Sequence, residues 1–270
     1  MTSQGVPGRV IPELRVALIG VGGRMGKALQ AALDEVPGAV LSGAAASARS
    51  ASLGTSVGGA VVTADLAQAL RGSAVAIDFS TAQAAPGNLN ACVAANCPLV
   101  LGTTGLDDAV RAQVATAATR IPIVMAPNMS LGVNLLLKLA ELAAHSLDAD
   151  YDVEIFEAHH RHKKDSPSGT ALGLGEAVAR GRGVPLNEAA EYVRHGVGEP
   201  RRRGAIGFSV FRGGDVVGDH TVTFAGIGER IELSHRASDR MAFARGAVRA
   251  AQWLVSRPPG LYSMQDVLGL

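Results

Sequence analysis

The densest set of reactive side chains lies in residues 157–170, EAHHRHKKDSPSGT. The segment holds three histidines, His159, His160 and His162, and three basic residues, Arg161, Lys163 and Lys164. Pro167, Ser168 and Gly169 then lead through Thr170 into ALGLGEAVARG, rich in helix formers. A helix start presents N–H groups with no intrahelical partner and a partial positive charge, which suits a substrate carboxylate. Lys163 and Lys164 add full charges, and His159 or His160 can exchange protons near neutral pH. His159, His160 and His162 could also be read as metal ligands. Adjacent residues on a strand diverge to opposite faces, however, and the neighbouring Lys and Arg repel a cation, so no metal is expected. The plain alternative is a basic surface loop capped by a helix.

A second site is suggested by Gly20, Gly23 and Gly26, spaced G-x-x-G-x-x-G in GVGGRMG. They follow an apolar run, RVALIG, and precede KALQAALDEV. Strand, glycine turn and helix in that order let a pyrophosphate approach bare backbone at a helix start, where Arg24 adds a cation. The spacing departs slightly from G-x-G-x-x-G, and a simple strand–helix turn is the alternative. An NAD site of this type usually carries a carboxylate after the second strand. Here that stretch reads AAASARSAS, whose polar groups are Ser47, Arg49 and Ser50. Arginine there suits a 2′-phosphate, which predicts that NADPH is accepted and even preferred, unless Arg49 is only a solvated loop residue. The strand ends Asp78-Phe79-Ser80, Gly102-Thr103-Thr104-Gly105 and Ala126-Pro127-Asn128-Met129 fall on the carboxyl side of the same predicted sheet, where ligands bind.

The elements that must position these groups come in two styles. Up to about residue 130, short apolar strands (RVALIG, VLSGAAA, VAIDFS, PLVLGTTG, IPIVMAPN) alternate with helical stretches. That pattern predicts a doubly wound parallel sheet of the Rossmann type. A long helix, SLGVNLLLKLAELAAHSL, opens the second part, followed by YDVEIFEAHH, AIGFSVFRGG, GDHTVTFAG and ERIELSHRA, several alternating with period two. The reading is therefore α/β: a dinucleotide-binding domain over 1–130, completed by a returning helix in 241–270, and a smaller α+β domain over 131–240. With sites on both domains, catalysis is expected to need a hinge near 130 and 240.

Of 270 residues, 47% are hydrophobic and 18% charged, which fits a globular chain rather than disorder. A net charge of +1 gives no reason to expect nucleic acid or an anionic membrane as partner, and 4% aromatics leave no base-stacking platform. No apolar run is long enough to span a bilayer. MTSQGVPGRVIPEL lacks an apolar signal core and reads as a short flexible leader, making the cytoplasm the default address. Cys92 and Cys97 read as packing residues of a reduced protein.

Taken together, GVGGRMG, IDFS, LGTTG, APNMSLGVN, EAHHRHKKDSPSGTA, GDHTVTF and GERIELSHRASDRMAFARGAV resemble the bacterial 4-hydroxy-tetrahydrodipicolinate reductase family of the diaminopimelate–lysine pathway, also called dihydrodipicolinate reductase. The likeness runs from about residue 16 to the end. It implies reduction of a small dianionic substrate by NADPH or NADH, no metal, and a homotetramer formed through the second domain, which would thus serve both substrate binding and oligomerisation. It also implies that His159 acts in proton exchange and Lys163 donates the proton. His160 and the Gly169–Thr170 backbone would bind substrate. Read from the residues themselves, the Ser168–Thr170 helix start seats one carboxylate, and Arg240 is expected to add positive charge beside Lys163. Gly20, Val21, Gly22, Gly23, Arg24, Met25, Gly102, Thr103, Thr104, Ala126, Pro127, Asn128 and Met129 would line the cofactor. Many relatives carry an acidic residue with Arg beside it after the second strand; Ser47 and Ala48 stand there instead. Two other readings compete. One is another two-domain dehydrogenase of semialdehyde or sugar type, but the first needs a thiol nucleophile and the second no cluster of cations at a helix start. The other is a nicotinamide-dinucleotide sensor, which would bind without catalysis and has no reason to keep a His159–Lys163 pair.

Overall fold

An aliphatic run buried on both sides makes a central strand, and Val16, Ala17 and Leu18 are fully buried in β1 (Leu14–Ile19). The computed structural model describes residues 13–147 and 149–270, so the leader expected at the N-terminus lies, for residues 1–12, outside the described residues. After β1 come α1 (Arg24–Asp34), β2 (Ala39–Ala45), β3 (Ser56–Val57), β4 (Ala60–Thr63) and α2 (Leu66–Leu70). These are followed by β5 (Val75–Asp78), α3 (Ala85–Ala94), β6 (Leu99–Leu101), α4 (Asp108–Ala117) and β7 (Pro122–Met125). Gly26, Leu29, Ala32 and Leu33 are the buried positions of α1, the single stripe that an amphipathic helix lays on a sheet.

The strands form an eight-stranded sheet, in the order late strand Gly260–Tyr262, β7, β6, β5, β1, β2, β4, β3. β1 pairs in parallel with β2 and β5, as do β2 with β4, β5 with β6 and β7 with the late strand, while β3–β4 is antiparallel. The chain runs outward from β1 through β2 and β4, then returns to β5 on the other side. β1 is thus the switch strand, and a ligand crevice opens at its carboxyl end. The Rossmann-type sheet expected from the sequence is present. The Ser/Ala/Gly-rich stretch after the second strand, expected as a loop, also contains the small β3–β4 hairpin, whose two-residue strand is too short to leave a periodic signal.

The second unit begins with α5 (Leu131–Ser146), capped by Ser130, whose hydroxyl accepts from Val133 N. It continues with β8 (Asp152–His159), α6 (Gly169–Arg182), α7 (Leu186–Ala189), β9 (Ala190–Glu191), β10 (Ile206–Arg212), β11 (Gly218–Ala225), β12 (Arg230–Ala237) and α8 (Met241–Leu254). Its five-stranded sheet has the order β12, β11, β8, β10, β9. β8 and β10 are parallel, while β11 is antiparallel to both β8 and β12. One face buries Val153, Ile155, Ile206, Phe208, Val222 and Phe224 in a core shared with Leu136, Ala140, Leu174 and Val178 of α5 and α6. Burying side chains of this size contributes about 1.5–3 kcal/mol each. On the other face, register sets Ser209, Phe156, Thr221 and Ser234 in one row, and Phe156 is 44% exposed.

The units part at Val124/Met125 and at Gly246/Ala247, and Ser263–Leu270 goes with the second. The sequence placed the cuts near 130 and 240, with all of 241–270 in the first domain. The difference arises because the later division falls inside α8, where no linker marks it.

Candidate active site

Alternation along β8 puts Val153, Ile155, Glu157 and His159 on the buried side. The neighbouring strands bring partners to the last two: His220 of β11 lies opposite Glu157, and Arg212 of β10 lies opposite His159. Glu157 is fully buried and His159 is 8% exposed. Glu157 Oε1 accepts from Ser168 N at 2.9 Å and from Arg212 Nη2 at 2.8 Å; Oε2 accepts from Arg212 Nη1 at 2.9 Å and also engages His159 Nδ1. Burial pushes the Glu157 carboxyl up, but Arg212, the Ser168 amide and His159 outweigh it and hold the group below the ordinary value. Burial lowers His159, and Glu157 only partly restores it, so the ring is less easily protonated than a free histidine.

The turn after β8 is pinned to β10 and its following loop. Gly213 N donates to His159 O at 2.9 Å, Arg161 N to Gly214 O at 3.3 Å, and Arg212 Nη2 to Asp165 O at 2.6 Å. Lys163 is carried on this turn, with Nζ 2.8 Å from Asp165 Oδ2. Ser168 caps α6 by accepting from Ala171 N at 3.2 Å, and its hydroxyl lies 3.2 Å from His220 Nε2. Burial drives His220 down to about 4, so it is neutral at pH 7. His160 is half-buried, its Nδ1 has no hydrogen-bond partner among the described residues, and its ring centroid is 6.2 Å from that of His162. Thr170 accepts from Asn128 Nδ2 at 3.1 Å, which joins a cofactor-assigned residue to a substrate-assigned one. Gly169 is exposed. Arg240 sits one residue before α8, its carbonyl accepting from Phe243 N and Ala244 N; among the described residues it makes no side-chain bond to the 159–170 cluster.

Glu157, His159 and His220 each bring one potential ligand atom within 4.8 Å of the others. Both carboxylate oxygens already face the Arg212 guanidinium, which would repel a divalent ion there.

In the first unit, a pocket of about 410 Å³ opens at the carboxyl end of β1 and is lined by Gly20, Gly22, Gly23, Ala45–Ala48 (Ser47 included), Ser50 and Phe79–Thr81 among others. Gly20 is at φ +86°, and a Cβ there would lie 2.7 Å from Phe79 O, so only glycine makes this turn. Gly23 is the N-cap of α1, with no side-chain cap and no acidic residue in the first turn. Bare backbone, an uncapped helix start and a concave wall fit a dinucleotide pyrophosphate. Arg24 is exposed and Met25 half-buried; Val21 is buried and its N–H is committed to Ala45 O at 3.1 Å. No Asp or Glu lines the pocket, and Arg49 is exposed between the lining residues Ala48 and Ser50.

Gly102 packs against the Phe79 ring, since a Cβ there would come within 2.3 Å of it. Thr103 is buried and Thr104 exposed. Thr103 Oγ1 lies 3.2 Å from Asp78 Oδ1, which also accepts from Ser80 N at 2.8 Å, while Oδ2 accepts from Asn88 Nδ2 at 2.9 Å. This buried carboxylate fixes the strand ends beside the pocket. Ala126 and Met129 are buried, and Pro127 is exposed. Cys92 and Cys97 are buried free thiols in which burial disfavours the thiolate, so they are unsuited to serve as nucleophiles.

The fold and these groups define a nicotinamide-dependent oxidoreductase with a Rossmann-type unit and a separate α+β unit. Family models described as "Dihydrodipicolinate reductase, N-terminus" and "Dihydrodipicolinate reductase, C-terminus" match residues 14–129 and 132–268. The chain belongs to the dihydrodipicolinate reductase family. It is 54% identical to a Thiobacillus denitrificans protein named 4-hydroxy-tetrahydrodipicolinate reductase, over 96% of this chain and 99% of that one. It is 52% identical to a protein of the same name from Alkalilimnicola ehrlichii, over 95% and 99%. A dipicolinate-bound dihydrodipicolinate reductase from Paenisporosarcina shares the fold at a TM-score of 0.75, with 24% identity over 94% of this chain and 98% of that one.

Sequence reading did not single out Arg212, His220, Asn88 or Glu157 as site groups. The period-two pattern that set Glu157 and His159 on one face was a usable signal for Glu157 alone.

Proposed function

We propose that this chain reduces 4-hydroxy-tetrahydrodipicolinate to tetrahydrodipicolinate in the cytoplasm, as a step toward diaminopimelate and lysine. The observation that carries the reading is a buried His159 at the end of β8 and a cationic Lys163 on the pinned turn that follows, leading to the capped start of α6. The dinucleotide, when bound, supplies a hydride. The helix start at Ser168–Thr170 and the charge of Lys163 hold substrate carboxylates. Loss of the 4-hydroxyl as water leaves a conjugated imine; once hydride has added at one end, a proton must enter at the neighbouring carbon. Lys163 is the group that carries one to give, and His159 exchanges protons through Nε2. A positioned donor of this kind contributes about 10²–10⁴-fold. On this reading residues 1–130, with 241–270, bind the dinucleotide and 131–240 bind the substrate.

A pocket without a carboxylate, with Ser47, Ser50 and the exposed Arg49 at its rim, supports NADPH at least as well as NADH. The test is loss of reduced-nicotinamide absorbance with the enzymatically generated substrate, using each cofactor in turn. Turnover with both and an affinity for NADPH equal to or above that for NADH are expected. Cofactor binding without turnover would instead favour a dinucleotide sensor, and a strong NADH preference would overturn the rim assignment.

The outward face of the second sheet supports a homotetramer, with Phe156 and Phe211 44% and 47% exposed on it. Phe156→Lys is expected to reduce the mass seen by light scattering from four chains to two or one while leaving cofactor affinity intact; an unchanged mass places the interface elsewhere.

A further inference from the structure

We propose that Glu157 is a positioning residue for this reaction, holding the His159 ring with its Nε2 bare and tying the start of α6 to the same carboxylate. The inference rests on the reductase reading above.

The two oxygens of Glu157 have divided duties. Oε1 takes the Ser168 amide at 2.9 Å, the residue that caps α6, and Oε2 takes His159 Nδ1. Arg212 spans both oxygens, and its second nitrogen also holds the Asp165 carbonyl on the turn that carries Lys163. A carboxylate held bidentately by a guanidinium is ionised and only accepts hydrogen bonds. The His159 proton must therefore sit on Nδ1, which leaves Nε2 with a lone pair. Space is kept beside that atom by Gly218, where a Cβ would stand 3.0 Å from Nε2. One buried acid thus sets the tautomer of the proton-exchanging ring and the place of the carboxylate-binding helix start. Nothing in the reaction requires Glu157 to touch substrate.

The charged and titratable groups facing His159 are Glu157 on its own strand, Lys163 on the turn, Arg212 on β10 and His220 on β11. Glu157 is the anion that the ring contacts directly. Its neutralisation leaves His159 facing Lys163 and Arg212, so the ring becomes harder to protonate.

The test is a double-mutant cycle on the full chain, with turnover by wild type as its prior control. Absence of wild-type turnover defeats the reductase reading, whereas the cycle addresses Glu157 alone. Glu157→Gln is expected to lower the kcat plateau about 10²-fold, the lower end of what a positioned acid–base group contributes, and to change KM by less than about fivefold. The acid limb of kcat should move to lower pH. In a His159→Ala background the same substitution should cost less than about threefold, because the group it acts through is gone. Equal losses in both backgrounds, or a raised KM with unchanged kcat, overturn the proposal. If Glu157→Gln melts below assay temperature, Glu157→Asp, which keeps the charge that Arg212 needs but draws the carboxylate back from His159 Nδ1, carries the same cycle, judged by the loss of kcat and its disappearance in the His159→Ala background, with no shift of the acid limb expected.

Discussion

Lys163→Ala is expected to lower kcat by about 10²–10⁴-fold, the range that a positioned proton donor supplies, and to leave NADPH affinity within about twofold. The fold has little stake in this side chain. Its ion pair is with Asp165; the Lys163 and Asp165 side chains are 22% and 57% exposed, so the pair is half open to solvent and worth about 1 kcal/mol. The turn itself is held by backbone and by Arg212: Lys163 N donates to His160 O at 3.1 Å, and Arg212 reaches Asp165 O. Loss of turnover in a protein that melts near the wild-type temperature therefore reports chemistry. KM for the dianion should also rise, because the same ammonium adds charge to the carboxylate seat. Steady-state kinetics with fluorescence titration of NADPH checks the division. Collapse of cofactor affinity, or turnover within about threefold of wild type, contradicts the role given to Lys163.

How far such groups could be read in advance depended on how local their signal is. The glycine turn was legible because strand, bend and helix are contiguous and each residue type has a local reason. His159 and Lys163 stood out by residue type, and Ser168 was legible for its place before a helix, which it caps. Arg212 and His220 were not. Arg212 reaches Glu157 across 55 residues of chain, and only the pairing of β8 with β10 and β11 fixes which side chains stand opposite. Register is a property of the folded sheet. The Asp78–Asn88–Thr103 set has the same character, joining a strand end, a helix and a later strand end. Arg24 and Arg49 were named from residue type alone; both side chains are exposed, Arg49 between the pocket-lining residues Ala48 and Ser50.

Gly23→Val and Gly26→Val should separate what the three glycines do. A Cβ at Gly26 would stand 2.2 Å from Val21 O and 2.7 Å from Gly20 O, both backbone atoms that cannot swing aside. Valine there should cost about 3 kcal/mol or more, as overpacking does, and bring a large fall in melting temperature. Gly23 differs. Its φ of −79° is open to any residue, and a Cβ would meet only Gly20 O, at 3.3 Å. Valine as N-cap should therefore cost about 1 kcal/mol. Yet Gly23 lines the pocket at the start of α1, so its new methyls would stand where phosphate oxygens approach the backbone. Losing two charge-assisted hydrogen bonds at about 1.5–3 kcal/mol each weakens dinucleotide binding by at least about 10²-fold. Calorimetry of melting and of NADPH binding on the two variants decides it. A Gly23→Val protein that still binds NADPH as tightly as wild type removes the pyrophosphate from this bend, and with it the assignment of the first unit. Loss of binding in Gly26→Val says nothing comparable, because there the packing of α1 on β1 fails first.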